Sequence, residues 1–187
     1  MTSAPVAAQL ETVEYTLLAL LRQAPCHGYA LTQALAPTTE LGQMIRLRPA
    51  QLYFYLHKFE RAGWIVPIDA TVTGRHIVYQ LTATGTNLLD SWLIAPVTRP
   101  RDVRLSFLVK LYFTQQIAPQ RVTTLIDEQH AALTRYLAQL DSTLMAASAD
   151  QHFFADVVVP LRASQTRAAL DWLATLPTLL TPPEANS

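Results

Sequence analysis

Apolar positions in the first half of the chain recur at helical spacing, switch to strand spacing, and return to helical spacing. Val13, Leu17, Leu18, Leu20 and Leu21 give Glu11 to Gln23 a wide apolar face, which predicts a helix. Ala24-Pro25 ends it, because a residue before proline is pushed out of the helical region. His27-Gly28-Tyr29 leads into a short predicted helix over Ala30 to Ala36, stopped by Pro37. Thr38 to Leu47 is a mixed connector with room for a few helical turns. Pro49 suits the first position of the next helix, where its missing N–H is harmless. Leu52, Leu56 and Phe59 mark that helix's buried face, and Ala62-Gly63 stops it. Two β-prone runs follow, Trp64 to Ile68 and Ile77 to Leu81, around a polar turn from Asp69 to Arg75; together they predict a hairpin. Thr82 stands at an N-cap position before Leu88, Leu89, Trp92 and Leu93. Three helices, a hairpin and a helix in this order predict a winged helix-turn-helix domain over residues 11–95.

Ala95 to Pro100 (APVTRP) predicts an interdomain linker, centred on 96–100, and an all-helical domain is expected over 101–177. Val103, Phe107, Leu108 and Leu111 predict its first helix. A long helix opens at Ala118-Pro119, with Val122, Leu125, Ile126, Leu133, Tyr136, Leu137, Leu140 and Leu144 on one face. Run to Ala147, it would be roughly 43 Å long at ~1.5 Å per residue. A last helical region from Asp150 to Leu176 carries Phe154, Val157, Val158, Leu161, Ala169, Trp172, Leu173 and Leu176, and Pro160 is expected to kink or split it. Residues 1–10 and 178–187 lack any period and are expected to be disordered. The expected fold is therefore mainly α with a small β-hairpin.

Half of the 187 residues are apolar and only 15% are charged, against a usual quarter or so. A surface so poor in charge predicts that much of it is covered, most simply by a second copy. No apolar stretch is long enough to span a bilayer, and the first residues do not read as a signal peptide, so a cytoplasmic protein is expected. Cys26 is alone, which excludes an internal disulfide or a thiolate-rich zinc site. The histidines at 27, 57, 76, 130 and 152 lack metal-ligand spacing, and glycine is too scarce for a phosphate-cradling loop. Neither Cys26 nor Ser106 has the partner pattern of a nucleophile. No metal, no cofactor and no catalysis are expected.

Formal charge is zero, with six basic and six acidic residues before Ala95 and eight of each after it. Nucleic-acid binding would then depend on local concentration of charge. Arg46, Arg48, Lys58 and Arg61 against Glu60 make one short segment +3, and His57, Arg75 and His76 can join it in space.

The run YTLLALLRQAPCHGYALTQAL resembles the opening of the PadR family of transcriptional regulators, with Pro25, His27, Gly28, Tyr29 and Leu31 on its signature. Leu52-Tyr53, the segment LHKFERAGWI from Leu56 to Ile65, and the wing TGRHIVYQLTATG with Gly74, Arg75, Tyr79, Leu81, Thr82 and Gly85 follow in the family's order. RLSFLVKLYF and Trp172-Leu173 are similar to the start and end of its helical C-terminal region. Three features depart from the pattern: Arg48 and Ala50 precede Leu-Tyr where small polar residues are usual, Phe54 replaces a proline, and the wing has His76, Ile77 and Val78 where basic residues are usual. These departures bear on the strength and sequence of DNA binding and leave the fold intact.

The resemblance implies a homodimeric regulator, most simply a repressor, reading double-stranded DNA with the helix from Pro49. Arg48, Gln51 and Tyr53 lie near its start; Arg suits guanine and Gln adenine in the major groove. Arg46, His57, Lys58, Arg75 and His76 complete the expected DNA-binding set. Tyr55 fits either the core or the DNA face, and His27 and Tyr29 fit a role in placing the second helix. Phe107, Leu111, Leu133, Leu137, Leu140, Leu144, Trp172 and Leu173 are the expected dimer residues. The resemblance also implies a small aromatic effector, for which Trp92, Phe107, Tyr112, Phe153, Phe154 and Trp172 are candidates, although aromatics at helical spacing serve equally well as core. The alternative reading is a ligand-sensing or protein-interaction dimer with weakened DNA binding.

Overall fold

The computed structural model describes residues 10–69, 71, 74–145 and 153–180, with Arg75 described in its backbone only. The chain divides into two compact units, 1–93 and 94–187.

The first unit opens with α1 (Thr12–Gln23), whose Leu17, Leu18 and Leu21 are buried. Leu10, ahead of the helix and inside the segment expected to be patternless, is buried as well. Glu14 Oε2 accepts the backbone N–H of Glu11 at 3.0 Å, satisfying a donor that the helix start leaves open. In α2 (Gly28–Ala34) the same task falls to His27, whose Nδ1 accepts from the N–H of Ala30 at 3.0 Å. The connector holds one short helix, α3 (Glu40–Met44), capped by Thr39 Oγ1, which accepts from the N–H of Gly42 at 3.0 Å. α4 (Pro49–Arg61) begins on its proline as expected and buries Leu52, Leu56 and Phe59.

Gly63 ends α4 with φ 71°, a left-handed conformation that a side chain would strain. Its N–H donates to Glu60 O at 3.0 Å and the N–H of Trp64 donates to Phe59 O at 2.9 Å, the two bonds of a Schellman stop. The accompanying apolar contact is Phe59 against Trp64, ring centres 5.8 Å apart.

The hairpin forms as expected from β2 (Ile65–Pro67) and β3 (Val78–Leu81), registered Ile65 to Leu81 and Pro67 to Tyr79. A third strand, β1 (Cys26–His27), pairs with β3, so the sheet order is β1-β3-β2. Two residues without an apolar alternation give no strand signal in sequence, and only the free edge of β3 recruits them. Pro67 sits on an edge strand, where its missing N–H costs no ladder bond. Thr82 caps α5 (Ala83–Ile94), accepting from the N–H of Gly85 at 3.0 Å and donating to Gly63 O at 2.7 Å.

In the second unit a single helical turn, α6 (Pro100–Asp102), passes through a π turn (Val103–Phe107) into α7 (Leu108–Ile117). A 3-10 turn at Pro119–Arg121 leads into α8 (Val122–Met145), about 36 Å long at ~1.5 Å per residue. The expected extension to Ala147, and the expected start of the next helix at Asp150, lie outside the described residues. A second π turn (Phe154–Val158) precedes α9 (Val159–Leu180). Pro160 therefore does not split the helical run into separate helices. Its ring would collide with the carbonyl of Asp156 in a regular α-helix, and the wider π turn occupies that stretch. α9 also continues past Leu176, through Pro177, to Leu180.

The core of this unit joins Val97, Val103, Phe107, Leu111, Leu125, Ile126, Leu133, Leu173 and Leu176, and a smaller cluster holds Leu140, Val159 and Ala163. Val97, expected in a free linker, is part of that core. The buried side-chain amide of Gln129 in α8 bonds both backbone groups of Val97: Val97 N–H donates to Oε1 at 2.8 Å, and Nε2 donates to Val97 O at 2.9 Å. Lys110 of α7, only 2% exposed, donates to Ala95 O at 2.7 Å. Burial pulls its pKa down to about 8.

Candidate nucleic-acid interface

α4 is amphipathic, and its outer stripe is the candidate surface. With Leu52, Leu56 and Phe59 inward, the residues left exposed on this helix and at its start are Arg48, Pro49, Ala50, Gln51, Phe54, His57 and Arg61, with Arg46 exposed just before it. The three- and four-residue steps from Gln51 to Phe54, His57 and Arg61 place these side chains along one face. Arg61 was not among the expected DNA residues; the same step, carried one turn past His57, finds it.

Gln51 has a structural task. Its Oε1 accepts the backbone N–H of Arg48 at 3.2 Å, so the side chain caps the helix start while its amide nitrogen stays available as a donor. Tyr53 is half-buried. A Cβ built on Gly28 would come within 2.8 Å of its Cε1, so the glycine of the His-Gly-Tyr run lets the Tyr53 ring lie against α2. Tyr55 resolves toward the core: its ring stacks on Phe59 at 6.2 Å and meets Phe54 edge-on at 5.7 Å. Burial, and then the acids Glu11 and Glu14, push its hydroxyl pKa up.

Lys58 is partnered from within the chain. Its Nζ lies 2.5 Å from Glu14 Oε1, joining α4 to the start of α1. His57 stands 4.0 Å from Glu60, a distance beyond a hydrogen bond. The positive charge left on this face thus comes from Arg46, Arg48 and Arg61 rather than from the lysine.

Between α4 and the wing, Gly28, Tyr53, His57, Gly74, Ile77 and Tyr79 line an open concavity of about 350 Å³. Burial, with Glu60 and Tyr53 nearby, raises the pKa of Tyr79. The wing carries a 3-10 turn, Gly74–His76, entered at Gly74 with φ 73°. His76 is exposed there, and the side chain of Arg75 lies outside the described residues. His27 caps α2 as described above, and Tyr29 is 61% exposed beside it, ring centres 6.2 Å apart.

The residues expected at a dimer surface fall mainly inside one copy. Phe107, Leu111, Leu133, Leu140 and Leu173 are buried in the second unit and have little area left for another chain. Leu137 and Trp172 are half-buried and Leu144 is exposed; Leu105, Val157, Leu161 and Leu179 are further exposed apolar residues of this unit. Among the effector candidates, Phe107 and Trp172 meet edge-on at 6.0 Å within that core. Tyr112 abuts Phe113, and Phe153 and Phe154 are exposed. Trp92 belongs to the first unit, stacked on Tyr15 at 4.4 Å. Among the described residues no group of His, Cys, Asp and Glu could hold a metal, and no helix is long and apolar enough to cross a membrane.

Residues 17–91 match the transcriptional regulator PadR-like family, and residues 103–181 match the virulence activator alpha C-terminal family. No curated protein matches the chain significantly. The chain is similar to the crystal structure of Bacillus subtilis PadR in complex with operator DNA, at 24% identity and TM-score 0.43, covering 91% of this chain and 100% of that one. It is similar also to that protein's complex with p-coumaric acid, at 25% identity and TM-score 0.42, covering 90% and 98%. The PadR-like regulator BC1756 from Bacillus cereus aligns at 18% identity and TM-score 0.41, covering 94% and 99%. Along the two compact units the chain thus carries a PadR-like transcriptional regulator family domain followed by a virulence activator alpha C-terminal domain.

Proposed function

We propose that this protein is a cytoplasmic DNA-binding repressor that reads a pseudo-palindromic operator as a homodimer and is released by a small aromatic effector. The observation that carries the reading is the outer stripe of α4, where Arg48, Gln51, His57 and Arg61 are exposed over a fully packed inner face. In this reading the start of α4 enters the major groove, with Arg48 and the free amide nitrogen of Gln51 toward base edges. Arg46, Arg61, Arg75 and His76 approach phosphates or the flanking groove. Tyr53 sets the height of the helix against α2, and Lys58 braces α4 from behind.

The second unit supplies the dimer, through its exposed apolar residues rather than its buried leucines. Two-fold symmetry then places half-sites about one DNA turn, roughly 34–36 Å, apart. The solved complexes of Bacillus subtilis PadR with operator DNA and with p-coumaric acid support both partners by analogy of family.

A fluorescence-anisotropy titration of the full chain against its own promoter region tests this. Sequence-selective binding that weakens with salt, and that Arg48→Ala together with Gln51→Ala abolishes while the oligomer persists, is the expected result. Equal affinity for promoter and scrambled duplex would sink it. A second reading, a ligand-sensing or protein-interaction dimer, is favoured by Phe54, which is 66% exposed in the middle of the α4 stripe. It predicts an unchanged dimer with no selective DNA binding at any salt concentration.

A further inference from the structure

A second basic site lies in the helical unit. Arg99, Pro100, Arg101, Tyr136, Arg162 and Gln165 surround an open hollow of about 310 Å³. They come from three segments: the start of α6, the middle of α8 and the first turns of α9. Three arginines therefore line one hollow in a chain whose formal charge is zero.

Among the described residues little offsets them. Arg101 Nε is 3.8 Å from Asp102 Oδ1, too long for a hydrogen bond. Among the described residues no ion pair neutralises Arg99 or Arg162. The guanidinium of Arg162 lies over the Phe154 ring, 5.6 Å from its centre. Such a contact uses the face of the guanidinium and leaves its in-plane N–H donors for an anion. Tyr136 and Gln165 add a hydroxyl and an amide as neutral donors. Like charges gathered in a concave site repel one another and focus positive potential there, and a bound anion relieves that repulsion.

The dimensions restrict the ligand. The hollow stands at the small end of metabolite sites, which run from about 300 to 1,000 Å³. Three forked donors can grip more than one anionic group, each in bidentate fashion. We propose that this hollow binds a small organic anion carrying two or more carboxylate or phosphoryl groups. The proposal does not rest on DNA reading by α4.

The test is calorimetric titration of the full-length protein with citrate, pyrophosphate and benzoate, at about 0.15 M chloride. Saturable binding of citrate or pyrophosphate, about tenfold or more tighter than benzoate, is expected. Whichever of the two binds tighter tells carboxylate from phosphoryl chemistry. Arg99→Ala and Arg162→Ala should each weaken it about tenfold, whereas Arg22→Ala, on an exposed position of α1, should not. No saturable binding, or equal binding by wild type and both variants, overturns the proposal. So does either of two other results obtained without anion binding by the wild type. Loss of promoter affinity in the two variants would assign the arginines to DNA phosphates, and loss of the oligomer would assign them to a second copy.

Discussion

Replacing Lys58 separates a brace within the protein from a contact to DNA. Lys58→Met keeps the aliphatic stem and removes the ammonium that sits 2.5 Å from Glu14 Oε1. The Glu14 side chain is 4% exposed and that of Lys58 37%. The variant leaves a buried carboxylate supported by the backbone N–H of Glu11 at 3.0 Å. Removing one partner of a fully buried pair costs about 3–5 kcal/mol. Water reaches Lys58, so the pair is screened and the expected loss falls to about 1–3 kcal/mol. Glu14→Gln removes the charge but keeps the shape, and should cost about 1 kcal/mol. The double variant should then be more stable than the sum of the single changes, with a coupling of about 1 kcal/mol. Urea denaturation of the four proteins measures this, as a midpoint shift at constant m. In parallel, the salt dependence of promoter binding reports phosphate contacts, each worth about 0.9 in the log–log slope. Lys58→Met should leave that slope unchanged. A variant as stable as wild type, with a slope shallower by about 0.9, would show that the lysine's partner is DNA and that the brace is unimportant.

Three further outcomes follow from the packing. A Cβ on Gly42 would lie 1.8 Å from Ala36 O and 2.8 Å from Leu35 O, both backbone atoms, so α3 must shift. Gly42→Ala should cost about 2–4 kcal/mol in thermal or urea unfolding, and a variant of wild-type stability would contradict the geometry. Gln129→Leu strands the buried N–H and C=O of Val97, at about 1–3 kcal/mol for each group, and should raise amide exchange at Val97; unaltered exchange there would remove the clamp from the account. Lys110 binds its proton less tightly when folded, at a pKa of about 8, than in the unfolded chain. Between pH 8 and about 10.4 the unfolded state therefore holds the extra proton, so this lysine makes stability rise with pH, by as much as about 3 kcal/mol. Cys26, Tyr15, Tyr55 and Tyr79, whose pKa values are raised by burial, act in the opposite sense over the alkaline range. The difference in melting temperature between wild type and Lys110→Met, followed from pH 7 to 10, isolates the lysine. A difference that does not change with pH would refute the depressed pKa.

The amino-acid sequence by itself determined the order and kind of the main elements. Leu52, Leu56 and Phe59 at helical spacing, the β-prone runs around Gly74, and Pro49, Gly63 and Thr82 at element boundaries act through neighbours a few residues away. Period, caps and turn chemistry are local, so they can be read without a fold. What tertiary structure decided is partnership over long separations. Lys58 meets Glu14 across 44 residues, and Gln129 meets Val97 across 32. The first exchange gives Lys58, an expected DNA contact, a partner inside the protein, and the second ties a residue of the expected linker to the core. The two-residue strand β1 exists only because β3 offers it an edge. Apolar stripes in the second unit announced burial but not by what. Phe107, Leu133 and Leu173 are covered by their own chain, since three helices packed side by side take up the same faces that a second copy would need. An apolar period specifies that a face leaves water, and only the three-dimensional arrangement specifies which surface replaces the water.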